Sequence, residues 1–186
     1  MHETSLGGSI RDYLTGEETP NTTYEEMRQA LAKLMVEERG YPKDRLRPKV
    51  GVSFEIDGGN FCRVVDLVVE DESGRPLLAV LFCSGIPGTY TRETLASARL
   101  LPDGPVPLAL ATDTMDAVLL SVPDGKELGT GMDALPRWED LPALAQGRDT
   151  SPLSEDRAQR ERRILYAYSE MLSSCCESTC CPLPGR

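Results

Sequence analysis

The sequence predicts an α/β protein in which a mixed β-sheet is flanked by α-helices, with a further helix near the C-terminus. Three observations support this fold class. An amphipathic helical pattern precedes several short apolar runs, a second helical pattern interrupts those runs, and turns rich in glycine and proline separate the elements. Helices and strands mixed in this order along one chain are typical of a sheet with helices packed against it.

The first helix is predicted to begin near Thr22. Thr23 and Glu26 have the spacing of a capping box, in which both side chains bond to backbone N–H groups of the first turn. Gly40 and Pro42 are the predicted end of the helix. Apolar side chains recur on one face between these limits, at Tyr24, Met27, Leu31, Leu34 and Met35.

Three strands are predicted to follow this helix. Residues 46–56 alternate with a period of two, residues 57–60 form a turn, and residues 61–70 make the return strand. Residues 77–82 are apolar throughout, which is typical of a central strand covered on both faces. The three strands are therefore expected to form a meander.

A second helix is predicted over residues 91–101, and two short apolar strands are predicted at residues 106–111 and 117–122. Residues 155–172 carry arginines and acids in alternation, together with an apolar stripe that includes Ile164. This pattern indicates an amphipathic helix that either closes the domain or contacts a partner.

These elements divide the chain into four parts. Residues 1–21 lack apolar periodicity and are predicted to be a flexible N-terminal segment. Residues 22–146 form the predicted domain, and residues 147–174 form a linker with the amphipathic helix. Residues 175–186 form a cysteine-rich tail.

The chain is acidic, with 20 basic and 30 acidic residues and a formal net charge of -10. Proteins that wrap DNA neutralise its phosphates with lysine and arginine, so this charge favours a protein partner over DNA. No apolar run is long enough to span a bilayer, and the polar N-terminus lacks the pattern of a secretory signal. We therefore expect a cytoplasmic protein without a membrane partner.

A family resemblance is carried by three segments, TYEEMRQALAKLMVEERGYPKDRL, FCRVVDLVVEDESGRPLLAV and TYTRETLASARLL. Together they resemble the N-terminal domain of the type I restriction enzyme R subunit, a PD-(D/E)xK nuclease family. The resemblance covers about residues 22–145. It implies a restriction-endonuclease-like core in which the mixed sheet carries the active site.

In that family, an acidic residue on the second strand and a Glu-x-Lys on the third hold Mg²⁺ and orient water. Asp66 matches the first acidic position, whereas Leu81 and Cys83 occupy the positions of the glutamate and the lysine. Leucine offers no oxygen ligand and a neutral thiol offers no positive charge. The resemblance therefore implies that Asp66 is a vestigial catalytic residue. We interpret it as a buried or edge carboxylate that is paired with a nearby arginine such as Arg63. Glu26 is a second, weaker candidate, since it resembles the helix acid that often lines this site.

Three hypotheses of function follow. The favoured one is a freestanding R-subunit N-terminal-like domain that is catalytically degenerate, needs no cofactor, and acts as a binding or scaffolding module. The first alternative is a Mg²⁺-dependent DNA endonuclease whose rearranged active site uses Glu26 and Asp66. The second alternative is a thiolate metal-binding or redox function of the tail, which contains Cys175, Cys176, Cys180 and Cys181.

Overall fold

The computed structural model describes residues 4–173, with the side chains described through residue 168. The chain forms eight strands and four α-helices in this part. In order they are β1 (Ser5–Arg11), β2 (Glu18–Thr22), α1 (Thr23–Arg39), β3 (Leu46–Ile56), β4 (Gly59–Glu70), β5 (Pro76–Phe82), α2 (Thr91–Arg99), β6 (Leu108–Thr112), β7 (Ala117–Ser121), β8 (Glu127–Thr130), α3 (Leu141–Ala145) and α4 (Glu155–Ser173).

Strands β3 to β8 form one six-stranded sheet in sequence order. Neighbouring strands are antiparallel except β5 and β6, which are parallel and are connected through α2. A parallel pair requires a crossover, and α2 supplies it. The predicted mixed sheet with flanking helices is confirmed.

The sheet has a separate hydrophobic core on each face. Helix α1 packs on one face, where Leu31 and Met35 contact strand residues such as Leu67 and Leu78. Helices α2 and α4 pack on the other face, with the fully buried Leu165 contributed by α4. The apolar run of β5 is explained by this arrangement, because a central strand between two cores is buried on both sides.

The ends of α1 lie close to their predicted positions, but the N-cap is one residue earlier than predicted. The Thr22 hydroxyl accepts a hydrogen bond from the Glu25 backbone N–H at 3.1 Å. The prediction of a capping box formed by Thr23 and Glu26 is therefore wrong. At the other end Gly40 adopts φ 78°, a left-handed conformation that favours glycine and closes the helix.

The segment before α1 also differs from the prediction. Strands β1 and β2 pair as an antiparallel hairpin, whereas the sequence analysis predicts a flexible N-terminal segment over residues 1–21. Asp12, between the two strands, forms a buried ion pair with Arg28 of α1. A short polar hairpin has little apolar periodicity, so pattern alone did not indicate it.

Helix α4 confirms the amphipathic helix predicted near the C-terminus. Its buried residues Ala158, Glu161 and Leu165 face the rest of the domain. The Tyr166 ring packs edge-on against the Phe61 ring of β4, with 4.9 Å between ring centroids. None of the helices in the described part of the chain has the length and apolar character to cross a membrane.

Candidate functional site

Asp66 lies where strands β4 and β5 separate. The ladder between these strands ends at the pair Leu67 and Val80. Beyond this pair β5 continues alongside β6, with Phe82 opposite Thr112. The Asp66 carboxylate bridges the opening, because its Oδ2 accepts a hydrogen bond from the Phe82 backbone N–H at 2.6 Å.

The backbone is irregular at this point of the sheet. Val65 and Val68 both contact the core under α2 and α4, whereas Leu67 contacts the core under α1. The alternation of side chains is therefore interrupted beside Asp66. The residue opposite Asp66 in β3 is Lys49, whose φ of 53° is unusual for a residue with a side chain.

Leu81 and Cys83 lie on β5 and just beyond it, close to Asp66. Leu81 is buried in the core under α2 and α4, and it fills with hydrocarbon the position that the family resemblance assigns to a glutamate. Cys83 is buried, and its Sγ donates to the Gly85 carbonyl oxygen at 3.5 Å. Burial raises the pKa of the Cys83 thiol to about 11, with further contributions from neighbouring carboxylates, so the thiol is neutral at physiological pH.

Helix α2 adds two polar residues that the sequence analysis did not single out as site residues. Glu93 is buried, and its Oε1 accepts a hydrogen bond from Arg63 Nε at 2.5 Å. Glu93 Oε2 and the hydroxyl of buried Ser97 make no hydrogen bond within the described residues. Glu93 and Ser97 are four residues apart on the buried side of α2. Two polar residues on an otherwise apolar helix face are the sequence feature that could have identified them as site residues.

The electrostatics of Asp66 follow from these neighbours. Burial raises the pKa of Asp66 to about 8, and the hydrogen bond from Phe82 opposes this shift while the charge of Glu93 adds to it. Arg63 pairs with Glu93, so the predicted pairing of Asp66 with Arg63 is wrong. Asp66 is buried, the first of the two predicted alternatives, and its raised pKa favours the protonated carboxyl at neutral pH.

These residues do not fit a Mg²⁺ site. Mg²⁺ requires several oxygen ligands in octahedral geometry, normally including ionised carboxylates. Here Asp66 accepts a hydrogen bond from the backbone, Glu93 is paired with Arg63, and the position that the family resemblance assigns to a glutamate is Leu81. Among the residues that the structure describes, no group of three or more histidine, cysteine, aspartate or glutamate side chains is arranged to hold a metal ion.

The first turn of α1 carries an acid, but it is the neighbour of the predicted candidate. Glu26 is exposed and is not a cap. Glu25 is buried, accepts hydrogen bonds from Arg28, and forms an ion pair with Lys49 at 2.8 Å between Nζ and Oε2. Arg28 is fully buried between Glu25 and Asp12. We call Asp12, Glu25, Arg28 and Lys49 the Arg28 cluster.

The sequence profile of the family described as type I restriction enzyme R protein N terminus matches residues 23–136. The chain belongs to this family. The match begins with α1 and includes the whole six-stranded sheet and α2. No curated protein and no solved structure shows a significant match to the chain.

Helix α4 lies outside the part that matches the restriction enzyme R protein family, yet it packs over the site. Tyr168 donates its hydroxyl to the Thr89 carbonyl oxygen at 3.1 Å, and its ring lies 6.4 Å from the Tyr90 ring between centroids. Burial raises the pKa of Tyr168, and the charge of Glu93 adds to this shift. Tyr168 therefore lies near Glu93, and α4 helps to enclose the polar residues of α2.

The four cysteines of the predicted tail, Cys175, Cys176, Cys180 and Cys181, lie outside the described residues. The hypothesis of a thiolate metal or redox function in this tail therefore stays a prediction.

Proposed function

We propose that this member of the restriction enzyme R protein family is a catalytically degenerate PD-(D/E)xK nuclease-like domain that acts as a binding or scaffolding module in the cytoplasm. The observation that carries this proposal is the state of Asp66. Its carboxyl is buried and accepts a hydrogen bond from the backbone of β5, and burial raises its pKa to about 8. A carboxyl in this state stabilises the sheet opening rather than binding a divalent cation.

The replacement of the other two family positions supports the same conclusion. Hydrolysis of a phosphodiester requires stabilisation of charge on both the attacking and the leaving oxygen. Leu81 and Cys83 provide no charge at these positions, and the nearby cations are already paired, Arg63 with Glu93 and Lys49 with Glu25.

A binding role fits what remains of the fold. The sheet and its two cores are intact, so the domain retains a rigid scaffold. The net charge of -10 favours a protein partner over DNA, because an acidic surface repels the phosphate backbone at long range. We propose no resident metal for this domain.

A cleavage assay tests the loss of catalysis. Supercoiled plasmid is incubated with the full chain and either Mg²⁺ or Mn²⁺, and Asp66→Asn is the matched variant because it keeps the shape of the side chain. We expect no cleavage above background from either protein. Cleavage by the natural chain that disappears in Asp66→Asn would contradict the proposal and favour the endonuclease alternative.

Calorimetry provides a second readout that does not depend on the choice of DNA. We expect no Mg²⁺ or Mn²⁺ binding that differs between the natural chain and Asp66→Asn. Metal binding that is lost in the variant would establish Asp66 as a ligand and overturn the proposal. A parallel measurement on Glu26→Gln tests the second predicted residue, which the structure places on the exposed side of α1.

A further inference from the structure

Helices α2 and α4 enclose a groove of about 380 Å³ on the surface of the domain. We call it the arginine groove because four of its seven lining residues are arginines. The lining consists of Arg92, Leu95, Arg99, Arg157, Arg160, Glu161 and Ile164. In a chain with a net charge of -10, this is a local concentration of positive charge.

The arginines differ in how firmly the protein holds them. Arg99 is mostly buried and donates from Nε and Nη2 to the Val122 carbonyl oxygen, at 3.0 and 2.7 Å. Arg157 is held less firmly, with 3.3 Å from its Nη2 to the Pro123 carbonyl oxygen and 3.7 Å from its Nε to Glu161 Oε1. Arg92 is exposed and makes no hydrogen bond or ion pair with any described residue. Arg92 and the remaining N–H donors of Arg157 are therefore available to an anion.

The acids near the groove are largely committed to other partners. Asp156 pairs with Arg160 at 2.8 Å, and Asp124 of the neighbouring turn pairs with Lys126 at 3.2 Å. Glu161 Oε1 accepts from Arg99 Nη1 at 2.9 Å. The second oxygen of Glu161 is buried and has no hydrogen-bond partner within the described residues. This oxygen can only accept, so it favours a ligand that carries a donor.

We propose that the arginine groove binds a small phosphate monoester that also carries a hydroxyl group, as a sugar phosphate does. Guanidinium groups bind phosphate oxygens in a bidentate manner, and Arg92 and Arg157 supply two of them. The ligand hydroxyl donates to Glu161 Oε2, and Leu95 and Ile164 contact its carbon skeleton. The groove volume suits a small molecule, and the acidic body disfavours a long polyanion such as DNA.

This proposal does not depend on the loss of catalysis at Asp66. Calorimetric titrations at low salt use ribose 5-phosphate, inorganic phosphate and a short DNA duplex as probes. The double variant Arg92→Gln with Arg157→Gln removes the two guanidinium groups that are proposed to bind the phosphate. Arg163→Gln is the matched control because Arg163 is exposed on α4 and does not line the groove. We expect ribose 5-phosphate to bind about tenfold or more weakly to the double variant, and unchanged to the control.

Glu161→Gln tests the hydroxyl contact. We expect it to weaken the binding of ribose 5-phosphate but not that of inorganic phosphate, and circular dichroism verifies that each variant is folded. Three results would overturn the proposal: no binding of ribose 5-phosphate to the natural chain, binding that the double variant leaves unchanged, or binding of the duplex at this groove in preference to the sugar phosphate. Equal responses of both small probes to Glu161→Gln would remove the assigned hydroxyl contact.

Discussion

Buried carboxyl groups occur on both faces of the sheet, but their surroundings give them opposite properties. In the Arg28 cluster on the α1 side, burial alone would raise the pKa of Glu25, yet hydrogen bonds from Arg28 and Lys49 lower it below its usual value. On the α2 side, Asp66 has no cation of its own, and its pKa rises to about 8. The number of cations beside each carboxyl, rather than burial itself, decides whether it is charged.

Under the proposed function, this difference separates a structural role from a lost catalytic one. The Arg28 cluster joins the N-terminal hairpin to α1 and the first strand of the sheet through paired charges. The Asp66 site contains the acid that the family resemblance assigns to the active site, but Leu81 and Cys83 occupy the positions of the glutamate and the lysine. Buried charges without partners are costly, so a buried carboxyl without a neighbouring cation is more stable when it is protonated.

The largest expected effect is in the Arg28 cluster. Arg28→Met leaves Asp12 and Glu25 buried without their shared cation, and we expect it to lower the free energy of unfolding by about 3–5 kcal/mol. Urea denaturation followed by circular dichroism measures this change. Arg163→Met, at an exposed site on α4, is the control and should change stability by about 0.5 kcal/mol or less. Equal small effects of the two variants would show that the cluster is not a structural anchor.

The next effect concerns the pH dependence of the free energy of unfolding, which has opposite signs for Asp66 and for the Arg28 cluster. Asp66 binds its proton more tightly in the folded than in the unfolded chain, so its contribution to stability is largest at low pH and falls until pH passes about 8. The fall amounts to about 1.4 kcal/mol per pH unit for a single group. Asp66→Asn should remove this slope between about pH 5 and pH 8, raising stability relative to the natural chain as pH increases.

The lowered pKa values of Asp12 and Glu25 act in the reverse direction. Their contribution is present above the unfolded-state pKa values and is lost as pH falls through the folded-state values. The Asp66→Asn variant keeps Asp12 and Glu25, so it should still lose stability as the pH becomes acidic. Urea denaturation across the pH range measures both effects, the loss of stability toward pH 8 and the loss of stability in acid. The variant Asp44→Asn, at an exposed residue, is the control. An unchanged slope in Asp66→Asn would mean that Asp66 is ionised in the folded protein.

The smallest expected effect is the difference in stability between variants of two adjacent glutamates on α1. Glu25→Gln removes a charge from between Arg28 and Lys49, and we expect it to cost about 1–3 kcal/mol because buried hydrogen bonds to charged groups are strong. Glu26→Gln, at the exposed neighbour, should cost about 0.5 kcal/mol or less. Thermal and urea unfolding of the two variants side by side measures the difference. Similar costs would assign Glu26 a role that its exposure does not suggest.

Most of the fold was predictable because its core elements have strong apolar periodicity. The bounds of α1, β3 and β5 lie within a residue or two of their predictions, and each has a turn signal at one end at least. The β1–β2 hairpin and β8 are mostly exposed and polar, so periodicity did not indicate them. Local pattern identifies elements by the surface they bury, and these strands bury little.

The candidate site was predictable in part. Asp66, Leu81 and Cys83 do lie together where β4 and β5 separate, as the family resemblance implied. The partner of Arg63 was not predictable, because Glu93 comes from a helix 30 residues later in the chain. The choice between Glu25 and Glu26 depended on a one-residue shift of the N-cap, which sequence patterns do not resolve.

The protonation state of Asp66 tests the central claim most directly. The side-chain carboxyl carbon of Asp66, assigned by its absence in Asp66→Asn, is followed by ¹³C NMR as pH is raised with and without Mg²⁺. We predict a midpoint near pH 8 that Mg²⁺ leaves unchanged. A midpoint in the ordinary range of an aspartate, about 4, that falls further when Mg²⁺ is added would contradict the account and indicate a functional metal site.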